Sequence, residues 1–362
     1  MTHDSLPSRD RGGYVVRSSV HAVMLPRMEH AIDELESLAC RALIRSGVSE
    51  SNAACVAAAL MAAELDDLPS HGLSRVAYYA DQAAAGKVDG HAAPVVEASG
   101  AVVRVDARTG FAYPAIEAGL GPAVAAAERH GIAALAINHS HHLGVAGHPV
   151  ERMARRGMMA MAFGNAPASI APWGGKRPLF GTDPIAFAAP RSAKDPLVID
   201  LSVSRVARGR IMLAQRRGET IPEDWALDGD GRPTTDPDAA MAGSVRPMGD
   251  AKGAALGLMV ELLAGALTGA SFAWEASSLF DAEGEPPDLG QLFILLNPAF
   301  FPPGVSLTDR VEVMIAAVAD EPGARLPGAR RLAARDQRRQ ALDIDERIFR
   351  DLMQRAGSAE RQ

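Results

Sequence analysis

Residues 132–153 read IAALAINHSHHLGVAGHPVERM, an apolar run that passes directly into a polar segment. The first seven residues are almost wholly apolar, which is typical of a strand buried on both faces of a sheet. The polar segment carries His139, His141, His142 and His148. Because α/β folds commonly place their chemistry where strands end, this stretch predicts both a buried sheet and a site beside it.

Other apolar runs of the same kind lie on either side of this stretch, at residues 101–107, 158–165, 196–204 and 293–298. Helical spacing of apolar residues predicts one helix from about His30 to Gly47 and another from about Glu50 to Leu65. Residues 112–131 also have a helical pattern, whereas residues 224–240 are rich in Asp, Gly and Pro and are predicted to be a loop. The middle of the chain is therefore α/β.

The composition is that of a globular protein without a polyanion-binding surface. The 362 residues are 48% hydrophobic, and the net charge of −7 argues against nucleic acid as a partner. Residues 254–274 are long enough to span a bilayer, but Glu261 lies at their middle, so we interpret them as a buried helix beginning near Lys252 and exclude a membrane partner. Cys40 and Cys55 follow no signal peptide and are predicted to be reduced thiols of a cytoplasmic protein.

The histidine segment allows two chemical interpretations. Imidazole is a common zinc ligand, but the spacing lacks HExxH or paired cysteines. His141 and His142 are adjacent, so on an extended segment they would point in opposite directions rather than at one ion. We therefore expect no metal, and we expect His142 to carry chemistry while His139, His141 and His148 shape and polarise its loop.

A second polar stretch, DDLPSHGLSRVAYYADQ at residues 66–82, sets Ser70, His71 and Arg75 within six positions. A turn that joins two helices would have the same composition. As a site, His71 would exchange a proton, and the planar fork of Arg75 would bind a carboxylate at two points. A 2-oxo acid requires both, because its carboxylate must be held while its carbonyl oxygen is protonated.

The search for a nucleotide site gives weaker signals. GLGPAV at residues 119–124 imitates a dinucleotide fingerprint but lies inside a helical pattern, where the motif has no meaning. Residues 171–190 are dense in Gly and Pro and include Lys176 and Arg177. Lys252 at a helix start would suit a phosphate or a ribose hydroxyl. Each of these three cations could equally be solvated.

Six motifs occur in the order seen in the type-2 malate/L-lactate dehydrogenase family, which the sequence resembles over about residues 29–350. They are SHGLSR, NHSHHLGVAGH, APWGGKRPLFGTDPIAFAAP, VIDLSVS, GDAKGAALGLMVELLAG and LPGAR. The resemblance implies an NAD(P)-dependent oxidoreductase with an α/β, non-Rossmann fold and a helical lobe made from both termini. It also implies a homodimer whose active sites lie close to the subunit interface.

By motif position, the resemblance assigns His142 as a proton acceptor and Ser70, His71 and Arg75 to the substrate side. It assigns to the cofactor the residues Asp200, Leu201, Ser202, Lys252, Gly328, Ala329 and Arg330. Ala166 stands where relatives often have Ser or Thr, so a side-chain contact to the cofactor is lost there. Asp183 replaces the more usual asparagine of GTNP, and a carboxylate near an anionic substrate would repel it unless protonated or paired.

The expected organisation has four parts. Residues 1–28 form a loose tail, 29–100 a helical lobe, 101–328 the α/β cofactor-binding and catalytic region, and 329–362 helices that pack on the N-terminal lobe. The expected reaction is hydride transfer between NAD(P) and a small anionic 2-hydroxy acid of the malate, lactate or 3-sulfolactate type. The alternatives are reduction of a cyclic imine carboxylate and, from another class, a histidine-rich metalloprotein.

The choice between NAD and NADP rests on charge. NADPH carries a 2′-phosphate, so a preference for it requires cations near the adenosine ribose. Lys176 and Arg177 in the Gly-rich turn and Arg330 on the late loop are candidates. We therefore predict a modest preference for NADP.

Overall fold

A computed structural model describes residues 27–302, 304–338 and 341–358. The predicted loose tail lies outside the described residues, apart from Arg27 and Met28, which begin the first strand. The strands are β1 Arg27–Ala31, β2 Val95–Ser99, β3 Val102–Asp106, β4 Ile132–Ser140, β5 Met159–Gly164, β6 Ile185–Ala189, β7 Leu197–Leu201, β8 Ala226–Leu227, β9 Ser244–Val245, β10 Leu289–Leu296 and β11 Ala341–Asp345. The helices are α1 Ile32–Arg45, α2 Glu50–Leu65, α3 Val76–Ala84, α4 Ala112–His130, α5 Gly147–Arg155, α6 Arg208–Arg217, α7 Pro237–Ala242, α8 Ala251–Val260, α9 Leu307–Ala319, α10 Ala329–Gln337 and α11 Glu346–Arg355.

A seven-stranded mixed sheet forms the centre, in the order β2-β3-β4-β10-β5-β6-β7. The five apolar runs of the sequence became β3, β4, β5, β7 and β10, so the predicted α/β class is confirmed. Only β3 and β4 are parallel, whereas each other neighbouring pair in this sheet is antiparallel. Phe293 of β10 pairs with Leu135 and Ala162 on either side, and all three are fully buried. The apolar pattern thus reflects a sheet covered on both faces.

A second core lies among α1, α2, α3 and α11. β1 pairs antiparallel with β11, which brings the C-terminal segment back to the start of the described chain. Leu342 and Ile344 of β11 are buried in this core together with Leu35 of α1. The division at residues 29–100, 101–328 and 329–362 stays a prediction, although β2 lies within the first of these ranges and belongs to the central sheet.

Two local predictions were wrong. The predicted loop at residues 224–240 contains β8 and the start of α7, because Asp236 caps the helix by accepting a hydrogen bond from the Asp238 amide at 2.9 Å. The helix predicted from Lys252 consists of α8 and a π-helical turn over Glu261–Ala266 that follows it. It was predicted to be buried, but one side of it is exposed. Leu258, Leu262 and Leu267 are each at least half exposed. Among the described residues, no helix combines the length and apolar character that a bilayer crossing demands.

The GLGPAV segment lies inside α4, as predicted, with Pro122 within the helix. Gly119 faces the sheet there, where an added Cβ would meet Leu135 at 2.6 Å, so its role is close packing rather than phosphate binding. Cys40 and Cys55 are free and half-buried, and burial raises the pKa of Cys55 to about 11.

Candidate active site

The polar stretch after α2 folds into two short 3₁₀ turns, Pro69–His71 and Leu73–Arg75. Gly72 joins them where an added Cβ would lie 2.3 Å from Glu64 Oε1, so a larger residue does not fit. The buried Glu64 carboxylate accepts a hydrogen bond from the Leu73 amide at 2.7 Å. These contacts hold the turn so that Ser70 Oγ lies 3.0 Å from His71 Nδ1.

Arg75 is the cation of this turn. Its Nε donates to the Ser70 carbonyl at 2.7 Å, and its guanidinium carbon lies 4.7 Å from the ring centre of Phe280. The residue is only 8% exposed, and Nη1 is buried with no hydrogen-bond partner among the described residues. A buried donor without a partner is costly, so this guanidinium is arranged to receive an anion such as a carboxylate.

The histidine loop approaches this turn from the end of β4. The rings of His71 and His142 stack with their centres 5.6 Å apart and an angle of 23° between their planes. His142 Nδ1 lies 2.7 Å from the hydroxyl of Tyr79, which lies 3.3 Å from the hydroxyl of Tyr113. The ring of His71 therefore lies against that of His142. Ser70 contacts His71, and Arg75 contacts Ser70, so the four residues predicted for catalysis and substrate binding lie together.

The sequence interpretation missed Tyr79 and Tyr113. Tyr79 is fully buried on α3, one helical turn after Arg75, and an aromatic residue at such a position resembles ordinary core. The i, i+4 spacing of Arg75 and Tyr79 was the available signal, since it places both side chains on one face of the helix.

Both histidines of the pair are held in the neutral form at pH 7. Burial, and next the charge of Arg75, lowers the pKa of His71 to about 4. The same two causes, in the same order, hold the pKa of His142 well below its ordinary value. A neutral imidazole has one nitrogen free to accept a proton, so either ring can act as a base towards a hydroxyl group.

The four histidines of the loop have four different partners. His139, which has a φ of 47°, contacts Asp106 at 3.0 Å, and His141 contacts Gln82 at 2.7 Å. His148 Nε2 lies 2.8 Å from Asp66, and His142 contacts Tyr79. An ion would need several of these rings at one point, whereas the structure directs each to a separate neighbour.

The residues predicted for the cofactor gather in part around the end of β7. Asp200 accepts a hydrogen bond from the Gly147 amide at 2.7 Å, and Ser202 Oγ contacts Ser204 Oγ. Gly328, with a φ of 77°, precedes α10, and an added Cβ there would lie 2.9 Å from the Val198 carbonyl. Ala329 and Arg330, which were expected on a loop, form the first turn of α10, and Gly328 brings this turn close to β7.

Backbone pairing places the start of α8, which carries Lys252, in the same region. Met248 donates to the carbonyl of Val203, two residues beyond β7, and Lys252 follows in the first turn of α8. Lys252, Leu201 and Arg330 are exposed, so they are accessible to a ligand. A hydroxyl, an ammonium and a guanidinium near two helix starts form a donor set that fits the phosphates and ribose of a dinucleotide.

Lys176 and Arg177 lie elsewhere, at the exposed tip between Ile170 and Phe180, which pair with each other. The Cβ of Lys176 lies 2.9 Å from the position of an added Cβ on Gly231, so the tip rests on the 228–232 turn. The tip therefore packs against the 228–232 turn, whereas the segment at Gly328 packs against β7. A shared role of Lys176, Arg177 and Arg330 in binding the cofactor stays a prediction.

Ala166 and Asp183 lie at the two ends of the same Gly-rich segment. An added Cβ on Gly181 would lie 2.2 Å from the Ala166 carbonyl, so the segment closes on itself. Asp183 is fully buried, and its carboxyl group faces that of Glu261, which is 1% exposed. Burial, and next the charge of Glu261, holds the pKa of Asp183 well above its ordinary value. The surroundings therefore favour the protonated form of this carboxyl, and in that form it would not repel an anion.

Comparisons with known proteins identify the family to which the chain belongs. The family model described as malate/L-lactate dehydrogenase matches residues 30–353. The chain is 54% identical over 322 residues to (2R)-3-sulfolactate dehydrogenase (NADP(+)) of Chromohalobacter salexigens, covering 89% of this chain and 96% of the relative. It is 39% identical over 327 residues to Δ1-pyrroline-2-carboxylate reductase of Ancylobacter novellus, again covering 89% of this chain and 96% of the relative.

A solved structure shows the same fold. The Δ1-piperideine-2-carboxylate reductase from Pseudomonas syringae pv. tomato superposes with a TM-score of 0.85 at 36% identity, covering 91% of this chain and 99% of the other. The missing dinucleotide fingerprint agrees with the central sheet of this chain, in which only β3 and β4 are parallel. This chain is an NAD(P)-dependent oxidoreductase of the 2-hydroxy acid type and belongs to the malate/L-lactate dehydrogenase family.

Proposed function

We propose that this enzyme is an NADP-dependent dehydrogenase that oxidises 3-sulfolactate to its 2-oxo acid. The observation that carries the reaction type is the buried Arg75 guanidinium, with its unpartnered Nη1, beside two neutral histidines. The substrate choice is supported by the relative named (2R)-3-sulfolactate dehydrogenase (NADP(+)), at 54% identity over nearly its whole length.

Arg75 would bind the substrate carboxylate and so fix the neighbouring C2 hydroxyl. Its Nε is already engaged with the Ser70 carbonyl, so the remaining edge of the fork is the one available to substrate. Ser70 Oγ holds His71 Nδ1, which leaves Nε2 of that ring for other contacts. Substrate binding therefore uses a turn whose geometry is set before the substrate arrives.

His142 would accept the hydroxyl proton at Nε2 while its Nδ1 donates to Tyr79. In that tautomer Tyr79 can pass its own hydrogen bond to Tyr113, so the chain of hydroxyls stabilises the imidazolium that forms. The stacked ring of His71 orients His142 from the other side. Bound NADP supplies the hydride acceptor for the C2 hydrogen, and the proton stays with the protein.

The cofactor would lie along the end of β7. Lys252, Ser202 and Arg330 would hold its phosphates and ribose, with Asp200, Leu201, Gly328 and Ala329 shaping the backbone beneath them. Ala166 offers only its backbone. Lys176, Arg177 and Arg330 would favour the 2′-phosphate of NADP over the free hydroxyl of NAD.

A second candidate reaction is reduction of a cyclic imine carboxylate, which is what the names of the Ancylobacter and Pseudomonas syringae proteins describe. Arg75 would hold the carboxylate in the same way. In this reaction the imine nitrogen must gain a proton, so a histidine of the site would act as the proton donor rather than as the acceptor.

We also propose that the enzyme is a cytoplasmic homodimer. The exposed side chains of Leu258, Leu262 and Leu267 form an apolar stripe along α8 and the π-helical turn, which supports burial of this face in a subunit interface. Sedimentation analysis of the purified protein at several concentrations tests the dimer directly.

The test of the function is a spectrophotometric screen. The protein is assayed with NADP+ and NAD+ against 3-sulfolactate, malate and lactate, and in reverse with NADPH and Δ1-pyrroline-2-carboxylate. We expect the largest kcat/KM for 3-sulfolactate with NADP+. A larger kcat/KM for the imine would transfer the assignment to the second candidate.

A further inference from the structure

A buried network of charges joins three segments that carry the proposed site. Its centre is Asp66, 2% exposed, which follows the last residue of α2. Asp66 accepts hydrogen bonds from His148 Nε2 at 2.8 Å and from Arg335 Nε and Nη2 at 2.7 and 2.9 Å. Arg331 Nε lies 3.4 Å from the same carboxylate. One carboxylate thus contacts α5 and α10 at once.

Glu151 forms the second centre of this network. It is 4% exposed on α5 and lies 2.8 Å from both Arg331 Nη2 and Arg335 Nη1. Arg155, one turn further along α5, adds a contact at 2.7 Å. Two arginines one helical turn apart on α10 therefore each bridge the same two carboxylates. Such paired forks fix orientation as well as distance.

Each segment that meets in the network leads directly into the site. On the substrate side, Asp66 precedes Asp67, which has a φ of 62°, and then the turn that carries His71. His148 follows the loop of the proposed proton acceptor His142 on the same stretch of chain. Arg338 at the end of α10 adds a hydrogen bond to the Glu64 carbonyl at 2.7 Å, so the same segments are held at a further point.

On the cofactor side, Arg331 lies three residues after Gly328, whose backbone packs on β7. Arg331 Nη1 is buried without a hydrogen-bond partner among the described residues. This atom and Asp200 Oδ2 each lie 3.0 Å from the position of an added Cβ on Gly147. The network therefore extends to the end of β7, where the cofactor would bind.

The charge state of Asp66 suits a lasting contact between these segments. Burial by itself raises the pKa of a carboxyl group, but the hydrogen bonds from His148 and Arg335 outweigh it and leave the pKa of Asp66 below its ordinary value. The carboxylate is therefore charged across the physiological range. Buried ion pairs contribute little net stability compared with apolar packing, so this cluster is better explained by the geometry that it imposes.

We propose that Arg335 and Asp66 are positioning residues that couple the cofactor side of the site to the substrate side. Docking of α10 onto Asp66 sets the late loop at Gly328 and the turn at His71 in one arrangement, so each is ordered by the other. The proposal rests on the proposed function only in that residues 328–330 contact a nicotinamide cofactor. It requires that a change at Asp66, on the substrate side, weakens cofactor binding in the absence of substrate.

The test is a titration of the full-length protein with NADPH alone, followed by nicotinamide fluorescence. Asp66→Asn and Arg335→Lys should each raise the dissociation constant, roughly three- to thirtyfold for a residue within a coupling network. In the double variant the dissociation constant should rise by less than the product of the two single increases, because both substitutions remove the same contact. Arg191→Lys is the matched control, since Arg191 lies outside the three joined segments and pairs with Glu312 of α9 through two hydrogen bonds at 2.7 and 2.9 Å.

Hydrogen exchange of residues 67–75 supplies a readout that does not depend on turnover. In the parent, NADPH should slow exchange in this segment, and in Arg335→Lys this protection should be lost while thermal unfolding remains cooperative. Unchanged NADPH affinity in both folded variants overturns the coupling. If the variants do not fold, a parent in which NADPH leaves exchange of residues 67–75 unaltered overturns it equally. A parent that binds no nicotinamide cofactor contradicts the proposed function itself.

Discussion

Replacing Arg75 with methionine removes the guanidinium and retains much of the apolar stem. In the parent, Arg75 is 8% exposed and its guanidinium lies over Phe280. Its buried Nη1 has no hydrogen-bond partner among the described residues. Truncating one member of a buried, hydrogen-bonded charge pair costs about 2 to 5 kcal/mol. At about 1.4 kcal/mol for each factor of ten, kcat/KM should fall roughly 30- to 4,000-fold.

The same replacement should change the pH dependence. The charge of Arg75 lowers the pKa of both His71 and His142, second only to burial. Without that charge both pKa values rise towards the ordinary histidine value. A base works only when unprotonated, so the acidic limb of the pH profile of kcat should move to higher pH in Arg75→Met.

Initial rates across pH, together with a titration of NADPH in the absence of substrate, measure both effects. Arg75→Lys is the matched variant, because it keeps the charge, and hence the acidic limb, while losing the two-point fork. NADPH affinity should be unchanged in both variants. A substrate KM and an acidic limb equal to those of the parent in Arg75→Met would refute the assignment of Arg75 as carboxylate clamp and electrostatic neighbour.

The remaining predictions concern the bases, the cofactor and the buried acid pair. His142→Ala should lower kcat by roughly 10² to 10⁴, the usual contribution of a general acid or base. His71→Ala should also lower kcat, because His142 loses the ring that orients it, and near-parental turnover with an unaltered pH profile in both would remove them from the mechanism. Arg177→Ala should reduce the ratio of kcat/KM for NADPH to that for NADH, and an unchanged ratio would leave Arg330 to recognise the 2′-phosphate. Asp183 has a raised pKa, so its contribution to stability is present at low pH and is lost as pH rises through its value in the folded protein. Asp183→Asn should therefore lose less stability than the parent in thermal unfolding between about pH 5 and about pH 9, and parallel curves would show that the pair shares no proton.

The sequence predicted the centre of the sheet and missed its margins for a physical reason. β3, β4, β5, β7 and β10 are apolar runs because both faces of the sheet are covered. β6 lies within residues 171–190, where the density of Gly and Pro hides the apolar pattern of a strand. β1 and β11 pair across more than 300 residues, as in Met28 with Ile344, and no local pattern encodes that contact.

For the candidate site, composition and spacing singled out Ser70, His71, Arg75 and His142 as candidates, but not the residues that hold them. Tyr79 contacts His142 across 63 positions of sequence, and its burial on α3 makes it resemble core. Asp183 was expected to threaten an anionic substrate, whereas a carboxyl group from α8's continuation, Glu261, faces it in the interior. In both cases the partner comes from a distant segment, so only the fold reveals the chemistry.

The measurement that bears most directly on the account is a comparison of kcat/KM for the two enantiomers of 3-sulfolactate, malate and lactate, each with NADP+. We expect one enantiomer of 3-sulfolactate to give the largest value, and we expect the rate to fall when NAD+ replaces NADP+. A larger kcat/KM for malate or lactate would contradict the substrate assignment, and equal or faster rates with NAD+ would contradict the choice of cofactor.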